Sequence, residues 1–185
     1  MTQQFLQKNK GFTLIETLVA ISIFSMSILG LLSVLSSGIA DTNYAKQKVI
    51  AGYLAQEGIE YVRNMRDTYI LYPSQGLSWA IFENKVSPVC SNDFCGVDIS
   101  APVTDANAIA PCSNMNNCKL YISDGNYSVD SGVGNDSGFV RQIQATPIVV
   151  GGVTSEIKVI SKVSWTQGSG SYNITLSEDL FNWVE

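Results

Sequence analysis

The chain contains no histidine. That absence removes imidazole general bases, His-activated cysteine nucleophiles and His-ligated metals together. An enzyme built on this sequence would have to work with carboxylates alone, and no converging set of them is visible. Positive charge is also scarce: 11 Lys and Arg stand against 16 Asp and Glu in 185 residues, a net charge of -5. Phosphate backbones are bound by clustered cations that displace counterions. No such cluster exists here, so nucleic acid is not expected as a main partner. Proline is missing from residue 12 to residue 67, and cysteine is limited to Cys90, Cys95, Cys112 and Cys118. There is no internal repeat and no low-complexity tract long enough to suggest disorder. The length suits one moderate domain beside a long helix better than two full domains.

What the chain does have is a long apolar run near its start. Residues 18–40 carry no charge, and Lys10-Gly11-Phe12-Thr13-Leu14-Ile15-Glu16 leads straight into them. Roughly 20 apolar residues are enough to cross a bilayer core, so this run can span one, and Lys8 and Lys10 place its N-terminal side in the cytoplasm. An ionised residue in such a segment costs on the order of 3 kcal/mol on insertion scales, which makes Glu16 a functional candidate. A secretory signal peptide is the first competing reading, since Gly38-Ile39-Ala40 has the small-x-small form. Signal-peptide cores run about 7 to 15 residues, however, and this one is far longer. A plain single-span anchor explains the length but leaves the Gly11-Phe12 junction and Glu16 as accidents. A Glu16 that only reaches the headgroups is the bland alternative for the acid.

Gly11-Phe12-Thr13-Leu14-Ile15-Glu16 resembles the processing site of type IV prepilins and type II secretion pseudopilins. The resemblance implies that a membrane-embedded prepilin peptidase cuts after Gly11 and methylates the new N-terminal amine on Phe12. It also implies that Glu16, five positions into the mature chain, guides filament assembly. Physically, Glu16 of one subunit would pair with the Phe12 amine of a neighbour in a low-dielectric setting. Breaking a buried pair by deleting one partner costs about 3 to 5 kcal/mol. The match covers roughly residues 10–37, and weaker similarity to some minor pilins appears in residues 59–67 and in Leu180-Phe181-Asn182-Trp183. Many major pilins carry a proline partway along this helix, where Ser33 stands here. That departure favours a minor pilin or pseudopilin.

Beyond the apolar run the helical pattern continues. Ile50, Leu54, Gly58, Tyr61, Val62 and Met65 recur at three- and four-residue steps, the period of one helix face, with Glu57, Glu60, Arg63, Asn64 and Asp67 largely opposite. Glu60 to Arg63 and Arg63 to Asp67 have the spacing of surface ion pairs worth a few tenths of a kcal/mol. A glycine inside a helix costs about 1 kcal/mol, so Gly58 suggests close packing. A helix from residue 12 to 66 would be about 80 Å long, and its second half must pack on something other than lipid. Residues 119–123 and 126–130 flank Asp124-Gly125, a hairpin signal. Residues 139–150 read as a strand weakened at its far end by Pro147. Residues 156–165 alternate cleanly, with Ile157, Val159, Val163 and Trp165 on one face and Lys158, Lys162 and Ser164 on the other. Gln167-Gly168-Ser169-Gly170 then turns the chain into Tyr172, Ile174 and Leu176.

Residues 72–118 are rich in Ser, Asn, Pro and Asp and read as a long irregular segment, the kind that is functional or held by a constraint. All four cysteines lie in it. Cys90-x4-Cys95 and Cys112-x5-Cys118 suit two disulfides in an oxidising compartment better than a zinc site, whose motifs use shorter spacings. Three connectivities stay open. Asp124, Asn126, Asp130, Asn135 and Asp136 match no calcium loop and read as solvated turns. Asn126-Tyr127-Ser128, Asn135-Asp136-Ser137 and Asn173-Ile174-Thr175 are glycosylation sequons by pattern, and chance accounts for them. Trp165, Trp183, Tyr172 and Phe181 read as core or interface residues.

The expectation is an α+β, pilin-like fold: a long N-terminal helix, transmembrane in its first half, packed on a C-terminal antiparallel sheet. The organisation expected is a leader at 1–11, a transmembrane and filament-core helix at 12–40 and a globular head at 41–185. Expected partners are other pilin subunits, the prepilin peptidase, an inner-membrane assembly platform and, before assembly, membrane lipid. The head lies outside the cytoplasm, and the mature chain ends in an extracellular or periplasmic filament. No catalysis, cofactor or metal is expected. The rival is a membrane-anchored or pilus-borne adhesin that binds through residues 72–118.

Overall fold

In a computed structural model of the chain, the described residues are 11–113, 117–132 and 134–183. The expected leader, with Lys8 and Lys10, lies outside them apart from Gly11. The order of elements is a long helix α1 (Leu14–Leu71), a 3-10 turn (Pro73–Gln75), a second helix α2 (Trp79–Cys90), then seven strands. These are β1 (Cys95–Val97), β2 (Ile109–Pro111), β3 (Lys119–Ser123), β4 (Asn126–Ser128), β5 (Asn135–Val150), β6 (Val153–Gln167) and β7 (Gly170–Phe181). This is the α+β layout expected, a long N-terminal helix followed by an antiparallel sheet. The chain divides into two compact units between Ala45 and Lys46, and α1 passes through that boundary.

In the first unit, every described residue from Gly11 to Asn43 is exposed. α1 there has no core to pack on, yet several of its hydroxyls are satisfied within the helix. The hydroxyls of Ser22, Ser27, Ser37 and Thr42 donate to the carbonyls of Leu18, Ile23, Ser33 and Gly38, one turn back, at 2.7 to 3.1 Å. Side-chain hydroxyls that bond their own helix add no unmet polarity to an apolar surface. Among the described residues, α1 is the one helix long and apolar enough to cross a membrane.

In the second unit, Lys46–Glu185, the remainder of α1 buries Ala51, Leu54, Ala55, Gly58, Ile59, Tyr61, Val62, Met65, Tyr69 and Ile70. The periodic face legible in the sequence is the buried one, extended to Tyr69 and Ile70 near the helix end. Gly58 sits where helix and sheet meet most closely: a Cβ there would come within 2.9 Å of Ile143 Cδ1 and Ser161 Oγ and 3.0 Å of Arg141 Cδ. A side chain at that position would force Ile143, Ser161 and Arg141, or the helix itself, to shift.

All strand pairings are antiparallel. β5 is the central strand, with β6 on one side and β1 and β3 on the other; β2 flanks β1, β4 flanks β3, and β7 flanks β6. The turns follow their residues. Asp124-Gly125, at φ 50° and 82°, and Gly151-Gly152, at 62° and 85°, have the two positive φ values of the hairpin turn that matches strand twist. β6 alternates as expected, with Ile157, Val159, Ser161, Val163 and Trp165 buried. Pro147 stays within β5, paired with Ile157 at a position where β6 is the neighbouring strand, so an edge accommodates it.

Three expectations need correction. Residues 72–118 are not a long irregular segment: they contain α2, β1 and β2. Trp79, Phe82, Val86 and Cys90 form the buried stripe of α2, and the Ser78 hydroxyl caps it by accepting the Ile81 N–H at 3.4 Å. Glu57 does not face away from the core; it pairs with Arg141 at 2.6 Å. Asp67 pairs with Arg66 at 2.5 Å, while Arg63 joins Glu60 to Glu178 of β7. The expected Arg63 to Asp67 pair gave way to sheet contacts that the helix alone could not reveal.

Candidate functional site

The junction at Gly11 and Phe12 lies just ahead of α1. Phe12 is 80% exposed, and no described residue lies within 4 Å of a Cβ built on Gly11, so among the described residues nothing covers the bond between them. Thr13 then starts the helix. Its carbonyl accepts the Thr17 N–H at 3.2 Å, and its hydroxyl accepts the Glu16 N–H at 3.3 Å. Thr13-Leu14-Ile15-Glu16 is thus half of a capping box, a feature legible in the sequence but overlooked in favour of the acid alone. Glu16 sits in the first helical turn, where the helix dipole favours negative charge. The order Gly, exposed Phe, capping Thr and first-turn Glu therefore presents one carboxylate four residues after a potential new amine, at the mouth of an apolar helix.

Leu14, Ile15, Leu18, Val19, Ile21, Phe24, Met26, Leu29, Leu31, Leu32, Val34 and Leu35 are all large, apolar and exposed. A patch of this extent on a protein surface marks a membrane or a protein interface. Residues 6–38 match the model of the prokaryotic N-terminal methylation motif. This chain carries the type IV prepilin signature. Comparison with curated proteins and with solved structures gave no match. The prepilin-type N-terminus supports a pilin-like precursor, and the motif implies processing by a prepilin peptidase and assembly with other pilins. It and the apolar helix fit membrane anchoring followed by filament assembly. The motif is that of a structural family rather than a catalytic one.

The cysteines are joined locally, Cys90 to Cys95 and Cys112 to Cys118, with Cα separations of 5.1 and 5.7 Å. The first ties the end of α2 to the start of β1; the second ties the end of β2 to the start of β3. Among the described residues, no group of three or more Cys, Asp or Glu side chains is placed to hold a metal. The aromatics divide. Trp165 is buried and stacks with Tyr172 at 5.8 Å, whereas Phe181 and Trp183 are about half exposed, Trp183 lying under the Arg66 guanidinium.

Sequence reasoning missed Arg141. It is 2% exposed, donating to Glu57, to the Leu54 carbonyl at 3.4 Å and to the Val97 carbonyl at 3.2 Å. Burial pushes its guanidinium below its ordinary value, and the neighbouring Glu57 carboxylate opposes that shift. The only hint in the sequence was a single charge in an otherwise uncharged strand pattern. Nearby, burial and the negative charges of Asp98 and Asp105 push the Tyr61 phenol up to about 12, and its hydroxyl donates to the Ala101 carbonyl at 2.9 Å. Both groups fasten α1 to the rest of the second unit.

Proposed function

We propose that the protein is a minor pilin or pseudopilin of a bacterial type IV pilus or related secretion or uptake filament. The prepilin signature over residues 6–38 carries this reading, because it coincides with an exposed apolar helix, several of whose hydroxyls bond its own carbonyls. On this reading the leader ends at Gly11, Phe12 becomes the methylated N-terminus, and residues 12–40 anchor the subunit in the inner membrane before packing with other subunits. Residues 41–185 form the head outside the cytoplasm, and an inner-membrane assembly platform draws the subunit into the filament. Glu16 pairs with the Phe12 amine of a neighbour and sets axial register. The absence of proline from α1 favours the minor pilin or pseudopilin over a major pilin. The chain performs no catalysis.

The test is the intact mass and N-terminal sequence of protein recovered from native membrane or sheared filaments. A chain that begins with N-methylated Phe12 supports the reading. Gly11→Val should leave essentially all of the protein unprocessed, retaining Met1. A native chain that keeps its leader beside an active peptidase, or one that begins at Asp41, sinks it.

A further inference from the structure

The two edges of the sheet are unlike. On one side the outer strands are β2 and β4, three residues each; on the other is β7, twelve residues long. β7 is in register with β6 at every residue from Gly170 to Phe181, without a bulge, and it contains no proline and no lysine. Folded proteins ordinarily blunt a long open edge with such devices, because its unpaired backbone groups template another strand.

The backbone groups that face outward can be identified. Gly168-Ser169 is a two-residue turn between Gln167 and Gly170, with Gly168 at φ 58°, and the residues flanking such a turn exchange both of their bonds. Alternation then directs Tyr172, Ile174, Leu176, Glu178 and Leu180 toward β6, and Ser171, Asn173, Thr175, Ser177, Asp179 and Phe181 outward. Two observed bonds agree with this parity. The Asn182 N–H, next in the inward set, donates to the Ser155 carbonyl at 3.2 Å. The outward carbonyl of Phe181 accepts from Arg66 Nη1 at 3.0 Å. Arg66 and the acids Glu178 and Asp179 thus close the C-terminal end of the edge. Ser171, Asn173, Thr175 and Ser177 are exposed, and their outward N–H and C=O groups have no hydrogen-bond partner among the described residues.

We infer that this stretch of β7, residues 171–177, accepts an extended segment of a different subunit of the same filament as an eighth strand. The inference rests on the filament reading above. The occupant is an extended chain because outward backbone groups at every second residue are complementary to nothing else. Its side chains alternate. Those on the α1 side lie against Tyr172, Ile174 and Leu176, two of which are 38% and 37% exposed, and are apolar. Those on the other side lie against Asn173 and Thr175 and are polar. A second copy running in the same direction presents β2 or β4 at its opposite edge, too short to fill the site. A reversed copy could pair β7 with β7, and the concentration dependence of exchange in micelles separates that arrangement from the one inferred.

Residue-resolved amide exchange tests this on the mature full-length chain, first in detergent micelles and then in sheared filaments. The amides of Ser171, Asn173, Thr175 and Ser177 should exchange freely in micelles and slow by on the order of 100-fold in filaments, while those of Ile174 and Leu176 stay slow in both. Thr175→Pro removes an outward donor and leaves the β6 bonds in place; Thr175→Lys blunts the edge without touching the backbone. Both should keep a folded head and lower filament incorporation at least about 10-fold. Unchanged exchange in filaments, or wild-type incorporation of both variants in a strain where Glu16→Ala fails, overturns the edge proposal and leaves the filament reading intact. Slowing in micelles as concentration rises assigns the edge to a second copy and overturns it as well. Absence of the wild-type chain from filaments overturns both readings.

Discussion

The two parts of α1 obey one backbone rule and two different solvents. Before Ala45 the helix exposes its apolar residues on every side; from Ala51 to Ile70 it buries ten residues along one stripe and keeps charge on the rest. A helix that is apolar all round is meant for lipid or for other helices, and one with a stripe is meant for a core. Each part also handles its polar groups accordingly. The first returns hydroxyls to its own carbonyls. The second sends Tyr61, Arg63 and Arg66 across to Ala101, Glu178 and Phe181. Disturbing the first should therefore change where the protein goes, and disturbing the second should change whether its head holds together.

The largest effect expected is at Glu16. Glu16→Ala removes a charge from the membrane segment, which makes insertion easier, and on the proposed pairing it leaves the Phe12 amine of a neighbour without a partner. Insertion should be retained and filament incorporation should fall to near background, measured by quantifying the subunit in inner-membrane and sheared-filament fractions of a strain lacking its own copy. Glu16 is also in the first turn of α1, so a capping role must be separated. Glu16→Gln keeps a polar side chain at that position and loses only the charge. If Glu16→Gln assembles like wild type, the carboxylate is a helix-start residue and the assembly role is wrong.

The second unit should respond in the opposite way. Phe82 is fully buried against Tyr69 and Trp79, at ring separations of 6.4 and 5.6 Å. Phe82→Ala should destabilise the head by about 3 to 5 kcal/mol, read from denaturant unfolding followed by tryptophan fluorescence, with processing after Gly11 unchanged. Loss of processing in this variant would show that the two parts are not separable. A smaller loss is expected from the Cys90→Ala, Cys95→Ala double variant. Closing so short a loop contributes about 2 kcal/mol in the chain-entropy account, and reduction of wild type, which opens Cys112–Cys118 as well, should cost at least as much. No shift on reduction would mean that α2 and β1 are held by packing alone.

Much of this division could be read from the sequence, because local rules govern it. The charge-free run, the Gly11-Phe12 junction, the face containing Leu54, Tyr61 and Met65, and the alternation of β6 all depend on spacing within one element. What escaped depends on partners far along the chain. Arg63 meets Glu178 and Arg141 meets Glu57 only once the sheet has formed. α2 was hidden for a different reason: Pro88 and neighbouring Ser and Asn suggested loop, whereas Trp79, Phe82 and Val86 already had helical spacing and Ser78 the chemistry of a cap. Pro88 lies near the C-terminal end of α2, where its missing N–H and the clash with the preceding turn did not end the helix before Cys90. At the candidate site, Thr13 was legible as the first residue of a T-x-x-E box.

The smallest effect sharpens the contrast through pH. Residues 17–40 contain no ionisable side chain, so mild acid should act on the head and leave the apolar part of α1 unaltered. Within the head, Lys119 lies 2.7 Å from Asp136, and this ion pair, together with the Gly138 N–H at 2.9 Å, holds the Asp136 carboxyl below its ordinary value. A carboxyl depressed in the folded state contributes stability that is complete above its unfolded pKa of about 3.9 and is lost as pH falls through the lower folded value. Both partners are well exposed, so the contribution is screened and small. Asp136→Asn should therefore be slightly less stable than wild type at neutral pH, and the gap should close between about pH 5 and pH 2. Paired denaturant titrations at those pH values read the difference directly. A gap that persists unchanged at pH 2 would mean that the Asp136 side chain acts through its hydrogen bond to Gly138, which asparagine reproduces imperfectly, and that the charge on Lys119 contributes nothing.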